Sequence, residues 1–184
     1  MNIMNKKFNK VANLIEKKDI ITAMHSKNVA SLMYGFALFL NKTKKEANIL
    51  YIAGLFHDVG KLDVPDYILN KPTKLENSEF AIMQNHTEFS KNHLDDSYEE
   101  VIRNVAYGHH LAFDGTGYPV SLKGKNIPEE CRIAAICDVY EALTAKRQYK
   151  EPFSKEKALS LIMQSTKLDP ELVKKFVEFI QNII

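Results

Sequence analysis

Cysteine is scarce in this chain: Cys131 and Cys137 are the only two, six positions apart in an apolar stretch that reads as helix. That spacing suits neither a disulfide framework nor a C-x-x-C metal knuckle, so both are read as buried, reduced thiols of a cytoplasmic protein. Glycine and proline are sparse too, seven and six in 184 residues. They punctuate segments, and no stretch alternates long enough to imply a sheet. No apolar run is long enough for a signal peptide at the N-terminus or for a membrane span. Neither sign of charge dominates. Lys plus Arg is 25 against 23 for Asp plus Glu, a net charge of +2, which leaves no electrostatic footprint for duplex nucleic acid. The early lysines Lys6, Lys7, Lys10, Lys17 and Lys18 read as the solvated face of a helix.

What is present is helical periodicity nearly throughout. The length suits one all-α domain, a helical bundle able to bury roughly 70% of its unfolded surface. Residues 8–16 form a short amphipathic helix, so residues 1–18 are expected as an N-terminal helical extension and 19–184 as the main domain. Ile20 to Leu40 reads as a longer helix. Thr43 with Glu46 is a capping box that opens a helix apolar almost all round, Ala47 to Phe56, which belongs at the centre. His57-Asp58 closes it, with Gly60 suited to a left-handed stop. A helix from about Ser78 to Leu94 carries His86. Tyr98 to Tyr107 leads into His109-His110, and Leu111 to Asn126 forms an irregular loop. Pro128 opens a helix to Ala145 that carries Asp138, and two more helices, Ser154 to Ser165 and Pro170 to Ile184, close the chain, the last with Leu172, Val173, Phe176, Val177, Ile180 and Ile184 in one apolar stripe.

The chain has six histidines, and their placement is its sharpest chemical signal. His109 and His110 adjoin a bent, glycine-containing stretch, Asp114-Gly115-Thr116-Gly117-Tyr118-Pro119, which packing alone explains poorly. Imidazole and carboxylate together, without thiolate, suit iron, manganese, zinc or a similar divalent ion. His25, His57, Asp58 and Asp138 come from separate helices apart from the adjacent pair, so a bundle can point them at one ion. His86, His109 and His110 then complete a second site that shares Asp58. His93 has no partner in this pattern and is read as a surface residue. Two ions about 3.5–4 Å apart suit in-line attack of a bridging hydroxide on phosphorus. Lys61, Arg147 and Lys150 are the cations available for phosphate oxygens. Asp114, Gly117 and Tyr118 offer close backbone approach and a ring able to lie against a base or ribose, although Tyr118 suits a structural role equally well.

At these residues the chain resembles the HD-GYP family, a branch of the HD-domain metal-dependent phosphohydrolases. The matching text is His57-Asp58-Val59-Gly60-Lys61, Val64-Pro65-Asp66, Lys71-Pro72, His109-His110 and Asp114 to Pro119. It continues with Ile127-Pro128, Arg132-Ile133, Asp138, Ala142-Leu143 and Arg147-Gln148-Tyr149-Lys150. The resemblance implies an HD-type fold with a Gly-Tyr-Pro loop and a bacterial phosphodiesterase that opens cyclic di-GMP. It implies two divalent ions, iron or manganese, on His25, His57, Asp58, His86, His109, His110 and Asp138. Catalytic roles then fall to Asp58 and Lys61, with Lys61, Asp114, Gly117, Tyr118, Arg147 and Lys150 at the substrate. A homodimer or a regulatory protein is an expected partner; duplex nucleic acid and membrane are not.

The chain also departs from the family pattern. Ile21 stands where some members carry a Glu for a third metal, which argues against a trinuclear site. Asn28 stands where H-x-x-R would place Arg. Leu111 replaces the Glu that usually follows the histidine pair, which predicts weaker metal retention and a gain on restoring Glu. Two alternatives stay open: an HD phosphohydrolase of ordinary nucleotides, and a non-catalytic signalling module.

Overall fold

The computed structural model of the chain describes residues 3–146 and 151–182. Its centre is built around the helix that the capping box opens. Glu46 N–H donates to Thr43 Oγ1 at 3.3 Å and Thr43 N–H donates back to Glu46 Oε2 at 2.8 Å, which satisfies two backbone donors at the start of α3, Lys44–Phe56. The preceding helix α2, Ile20–Phe39, is capped by Asp19, whose oxygens accept from Ile21 and Thr22 N–H. It stops where Asn41 adopts a left-handed φ of 60°, a conformation Asn tolerates. The two helices form a packed hairpin, with α7, Glu100–Gly108, against α3 and α8, Glu129–Thr144, against α2.

The helix before this hairpin, α1, spans Ile3–Lys18. It is longer than the periodicity implied, and it packs on α2 with Val11 and Ile15 in the common core. At the other end, α9, Lys155–Met163, and α10, Pro170–Asn182, close over α8. Leu172, Val173, Phe176 and Ile180 are buried as the stripe predicts, joined by Phe179. Phe36 of α2 meets Phe176 edge-on at 5.1 Å and Phe179 at 5.5 Å, the aromatic anchor of the last helix. Ile184 lies outside the described residues. No strand occurs among the described residues.

Two local expectations change. Gly60 is no left-handed cap: it lies within a 3-10 turn, Val59–Asp63, and has no positive φ. A Cβ there would lie 1.8 Å from the His86 carbonyl oxygen, so glycine is required for close approach rather than for conformational freedom. The helix expected over Ser78 to Leu94 is broken into α5, Asn77–Gln84, α6, His86–Phe89, and a 3-10 turn at Ser90–Asn92. After the break α6 lies against the Gly60 turn, with His86, Thr87 and Ser90 buried. The remaining short helix is α4, Asp66–Leu69.

Candidate metal centre

His25 projects from the middle of α2, His57 and Asp58 lie at the end of α3, and His86 opens α6. His109 and His110 follow α7, and Asp138 is on α8. Five helices thus converge on Asp58, which is 2% exposed. Its two oxygens face opposite ways. Oδ1 lies 3.4 Å from His86 Nε2 and 3.8 Å from His109 Nε2, whereas Oδ2 lies 3.3 Å from His57 Nε2 and 3.9 Å from His25 Nε2. Asp138 Oδ1 is 3.0 Å from His25 Nε2. Donor atoms of His86, His109 and His110 form one close group, and those of His25, His57 and Asp58 a second. The bundle brings all seven sequence-identified residues together: six fall in these two groups, and Asp138 joins the second through His25.

The ring orientations follow from local backbone. Nδ1 of His57 donates to the Gly54 carbonyl at 2.7 Å, that of His86 to Met83 at 2.8 Å and that of His109 to Val105 at 3.0 Å. A carbonyl only accepts, so each Nδ1 carries a hydrogen and each ring aims Nε2 inward; His86 and His109, held neutral by burial, present lone pairs there. Nε2 of His86 and Nε2 of His109 are then 3.3 Å apart, two lone pairs facing each other beside a carboxylate. Nε2 of His57 is buried without a hydrogen-bond partner. A buried nitrogen left without a partner is met by an ion or an ordered water, and the nitrogen and oxygen donor set suits a divalent ion.

Electrostatics agree with that demand. Burial first, then the neighbouring histidines, hold His109 well below the ordinary imidazole range. Burial also lowers His86, and lowers His110 to about 4. All three are neutral near pH 7 and free to act as ligands. Burial alone would raise Asp58, but the Lys61 ammonium beside it overcomes this and keeps the carboxyl well below the usual range. Asp138 is likewise held down against burial, chiefly by its hydrogen bond to His25. His25 moves the other way. Desolvation is outweighed by hydrogen bonds to Asp138 and Glu141, which raise it to about 9.

Lys61 Nζ reaches Asp58 Oδ2 at 2.6 Å from the 3-10 turn. A cavity of about 230 Å³ opens above the centre, lined by His25, Asp58, Lys61, His110, Asp138 and, at its rim, Ile21. Tyr118 stacks on His110 with ring centroids 4.7 Å apart. The loop is held to the pair by Tyr118 N–H donating to the His110 carbonyl at 3.2 Å. Gly117 makes this possible: a Cβ there would lie 2.2 Å from Ala112 N. Gly117 thus presses the loop onto the histidine pair, and its contribution is close approach. Asp114, expected at the substrate, is half-exposed at the start of the loop, its carboxylate accepting from Thr116 N–H at 3.0 Å and from the hydroxyls of Thr116 and Thr166 at 2.6 and 2.9 Å. Arg147 and Lys150 lie outside the described residues.

Leu111 does not take the place of a carboxylate beside the histidines. It is buried in a separate small cluster with Ile127 and Cys131. His93 stands apart from the centre, with Nε2 3.1 Å from Asp63 Oδ2. Sequence reasoning missed Glu141, a buried carboxylate one helical turn beyond Asp138 that meets His25 Nδ1 and accepts from Asn28 Nδ2 at 3.0 Å. The i, i+3 spacing of Asp138 and Glu141 on one helix, opposite the same spacing of His25 and Asn28, was the available signal.

A family model described as HD domain matches residues 9–172. The 3'3'-cGAMP-specific phosphodiesterase 2 of Vibrio cholerae is 38% identical over 91% of this chain, which covers 33% of that protein. A probable cyclic di-GMP phosphodiesterase of the same organism is 36% identical over 95% of the chain and 44% of its own length. A cyclic di-GMP phosphodiesterase of Pseudomonas aeruginosa is 35% identical over 89% of the chain and 40% of its length. The chain therefore spans less than half of these curated relatives. Among solved structures, Bd1817, a HDG"Y"P protein from Bdellovibrio bacteriovorus, superposes with a TM-score of 0.66 at 18% identity, over 88% of this chain and 53% of that one. The HD domain of the L. monocytogenes phosphodiesterase PgpH, in complex with cyclic-di-AMP, gives 0.62 at 21% identity, over 93% of both chains. The helical architecture, the model spanning most of the chain and the ordered motif series together lead to one conclusion: the chain belongs to the HD domain family, on its HD-GYP branch.

Proposed function

We propose that this domain is a metal-dependent phosphodiesterase that hydrolyses a cyclic dinucleotide, with cyclic di-GMP as its substrate. The observation that carries the reading is the pair of opposed Nε2 lone pairs on His86 and His109, 3.3 Å apart, beside a carboxylate whose other oxygen faces a second histidine group. That arrangement supports two divalent ions, iron or manganese, both of which Asp58 would help to hold. When bound, such ions supply positive charge for phosphate oxygens and lower the pKa of water.

The chain's own residues do the rest. His86, His109 and His110 would hold one ion, and His25, His57 and Asp138 the other. Lys61, at the wall of the cavity, would turn its ammonium from Asp58 to a phosphate oxygen. Tyr118, braced on His110, would flank the sugar or base. The 230 Å³ cavity is smaller than the ~300–1,000 Å³ of pockets that enclose whole ligands, so it suits a phosphodiester with its bases lying outside. Ile21 at its rim offers no carboxylate for a third ion. Arg147 and Lys150 are further candidates for the phosphates. Relatives named for cyclic di-GMP and for 3'3'-cGAMP support the substrate class.

The test is hydrolysis of cyclic di-GMP, 3'3'-cGAMP and cyclic di-AMP by manganese- or iron-loaded protein, followed as linear dinucleotide, with a nucleoside triphosphate as control. Turnover of cyclic di-GMP ahead of the others is expected. Preference for the triphosphate would instead make the domain an ordinary nucleotide phosphohydrolase. A second reading, a non-catalytic module, rests on Leu111, which leaves no carboxylate after the histidine pair. Binding of cyclic di-GMP without cleavage by the metal-loaded protein would select it.

A further inference from the structure

His57, His86 and His109 each rest Nδ1 on a backbone carbonyl one turn back. His25 does not. Its Nδ1 meets the carboxylate of Glu141, and its Nε2 lies 3.0 Å from Asp138 Oδ1. Glu141 is 5% exposed, and its second oxygen accepts from Asn28 Nδ2 at 3.0 Å. Two residues one turn apart on α2, His25 and Asn28, are thereby clamped to two residues one turn apart on α8, Asp138 and Glu141. The unusual Asn28 has a task in this clamp, since its amide holds the Glu141 carboxylate in line with the ring.

We propose that Glu141 is a positioning residue for the half of the centre built on His25, His57 and Asp138. It fixes the His25 ring with Nε2 inward, and as an anion it makes that ring a stronger donor than the carbonyl-backed histidines. It does not itself touch the ion. A carboxylate behind a ligand imidazole typically accounts for 10–100-fold in metal affinity. The consequence is asymmetry: one half of the centre holds its ion through a charged pair of helices, the other through neutral rings and backbone. The inference rests on the two-ion reading above.

The experiment is an equilibrium titration of the chelator-stripped full chain with Mn2+, free ion being read by its EPR signal. Wild type is compared with Glu141→Gln, Glu141→Ala, His25→Ala and the His25→Ala/Glu141→Ala double variant, each melted in parallel in EDTA. Wild type should bind two equivalents. Both Glu141 variants should weaken one equivalent 10–100-fold and leave the other unchanged. The double variant should bind as His25→Ala does, because Glu141 acts only through that ring. Glu141→Gln keeps the side-chain shape, so it guards against an alanine variant that fails to fold. Wild-type affinity for both ions in a folded Glu141→Gln, whatever its melting temperature, overturns the proposal. So does a further loss of affinity when Glu141→Ala is added to His25→Ala. A wild type that binds a single ion defeats the two-ion reading instead. The role of Glu141 is then judged on that ion, which His25→Ala must abolish and Glu141→Gln must weaken.

Discussion

Asp58 shows how much one residue can carry. Its carboxylate is buried, with one oxygen toward His86 and His109 and the other toward His57, His25 and Lys61. Asp58→Ala is therefore expected to abolish hydrolysis and to cost more than one metal equivalent by elemental analysis. A variant that keeps both ions would mean the carboxylate does not serve both. Gly60 acts by what it lacks. With the His86 carbonyl 1.8 Å and Ser90 N 2.7 Å from where a Cβ would stand, Gly60→Ala must push α6 away from Asp58. Overpacking of this kind costs about 1–3 kcal/mol, and loss of the ion held by His86, His109 and His110 should accompany the lower melting temperature. His93, paired with Asp63 away from the centre, should tolerate alanine with near-normal kinetics.

Among the elements, the loop after α7 is the most informative. Leu111 descends into an apolar pocket with Ile127 and Cys131, while Tyr118 rises onto His110, so the loop joins the start of α8 to the metal centre. The pattern comparison alone suggested that Leu111→Glu would improve metal retention, but the packing reverses that expectation. Leu111→Ala should cost about 2–5 kcal/mol as a core truncation. Leu111→Glu, which buries a carboxylate among apolar neighbours, should destabilise at least as much and leave metal content no higher. Thermal melts with parallel metal analysis decide the matter. A more stable or more metal-rich Leu111→Glu would show that this side chain can swing to the ions.

For the whole molecule, the centre is a concentration of buried ionisable groups that five helices must hold together. In chelated protein, His86, His109 and His110 are neutral in the fold with depressed values. Their unfolded forms take up protons from about pH 6.5. The stabilisation they confer is present above that pH and lost as pH falls toward their folded values, about 4 for His110. His25 is raised to about 9, so its contribution is complete below about pH 6.5 and lost as pH rises through 9. Melting in EDTA should therefore peak near neutrality and fall on both sides, more steeply toward acid. A melting temperature still climbing below pH 6 would contradict this assignment of charges. Added manganese should raise the curve most at neutral to mildly alkaline pH, since ligands bind the folded state alone.

Much of this protein was determined by local sequence. The capping box at Thr43 and Glu46, the apolar stripe of α10 and the start of α8 after Pro128 are read from neighbours within one or two turns, and the structure has them where periodicity places them. The candidate metal ligands stood out because imidazoles and aspartates in that order have little other use, and the fold gathers them in one place. Tertiary contact decided what no local pattern encodes. The helix around His86 breaks where the Gly60 turn lies against it, and α1 joins the core through Val11 and Ile15. Asp114 bonds to Thr116 and to the distant Thr166, Leu111 packs with Ile127 and Cys131, and Glu141 meets His25, 116 positions earlier in the chain. Such roles depend on which helix faces which. Long-range packing settles that, because a buried carboxylate or acceptor must find a partner wherever the chain supplies one.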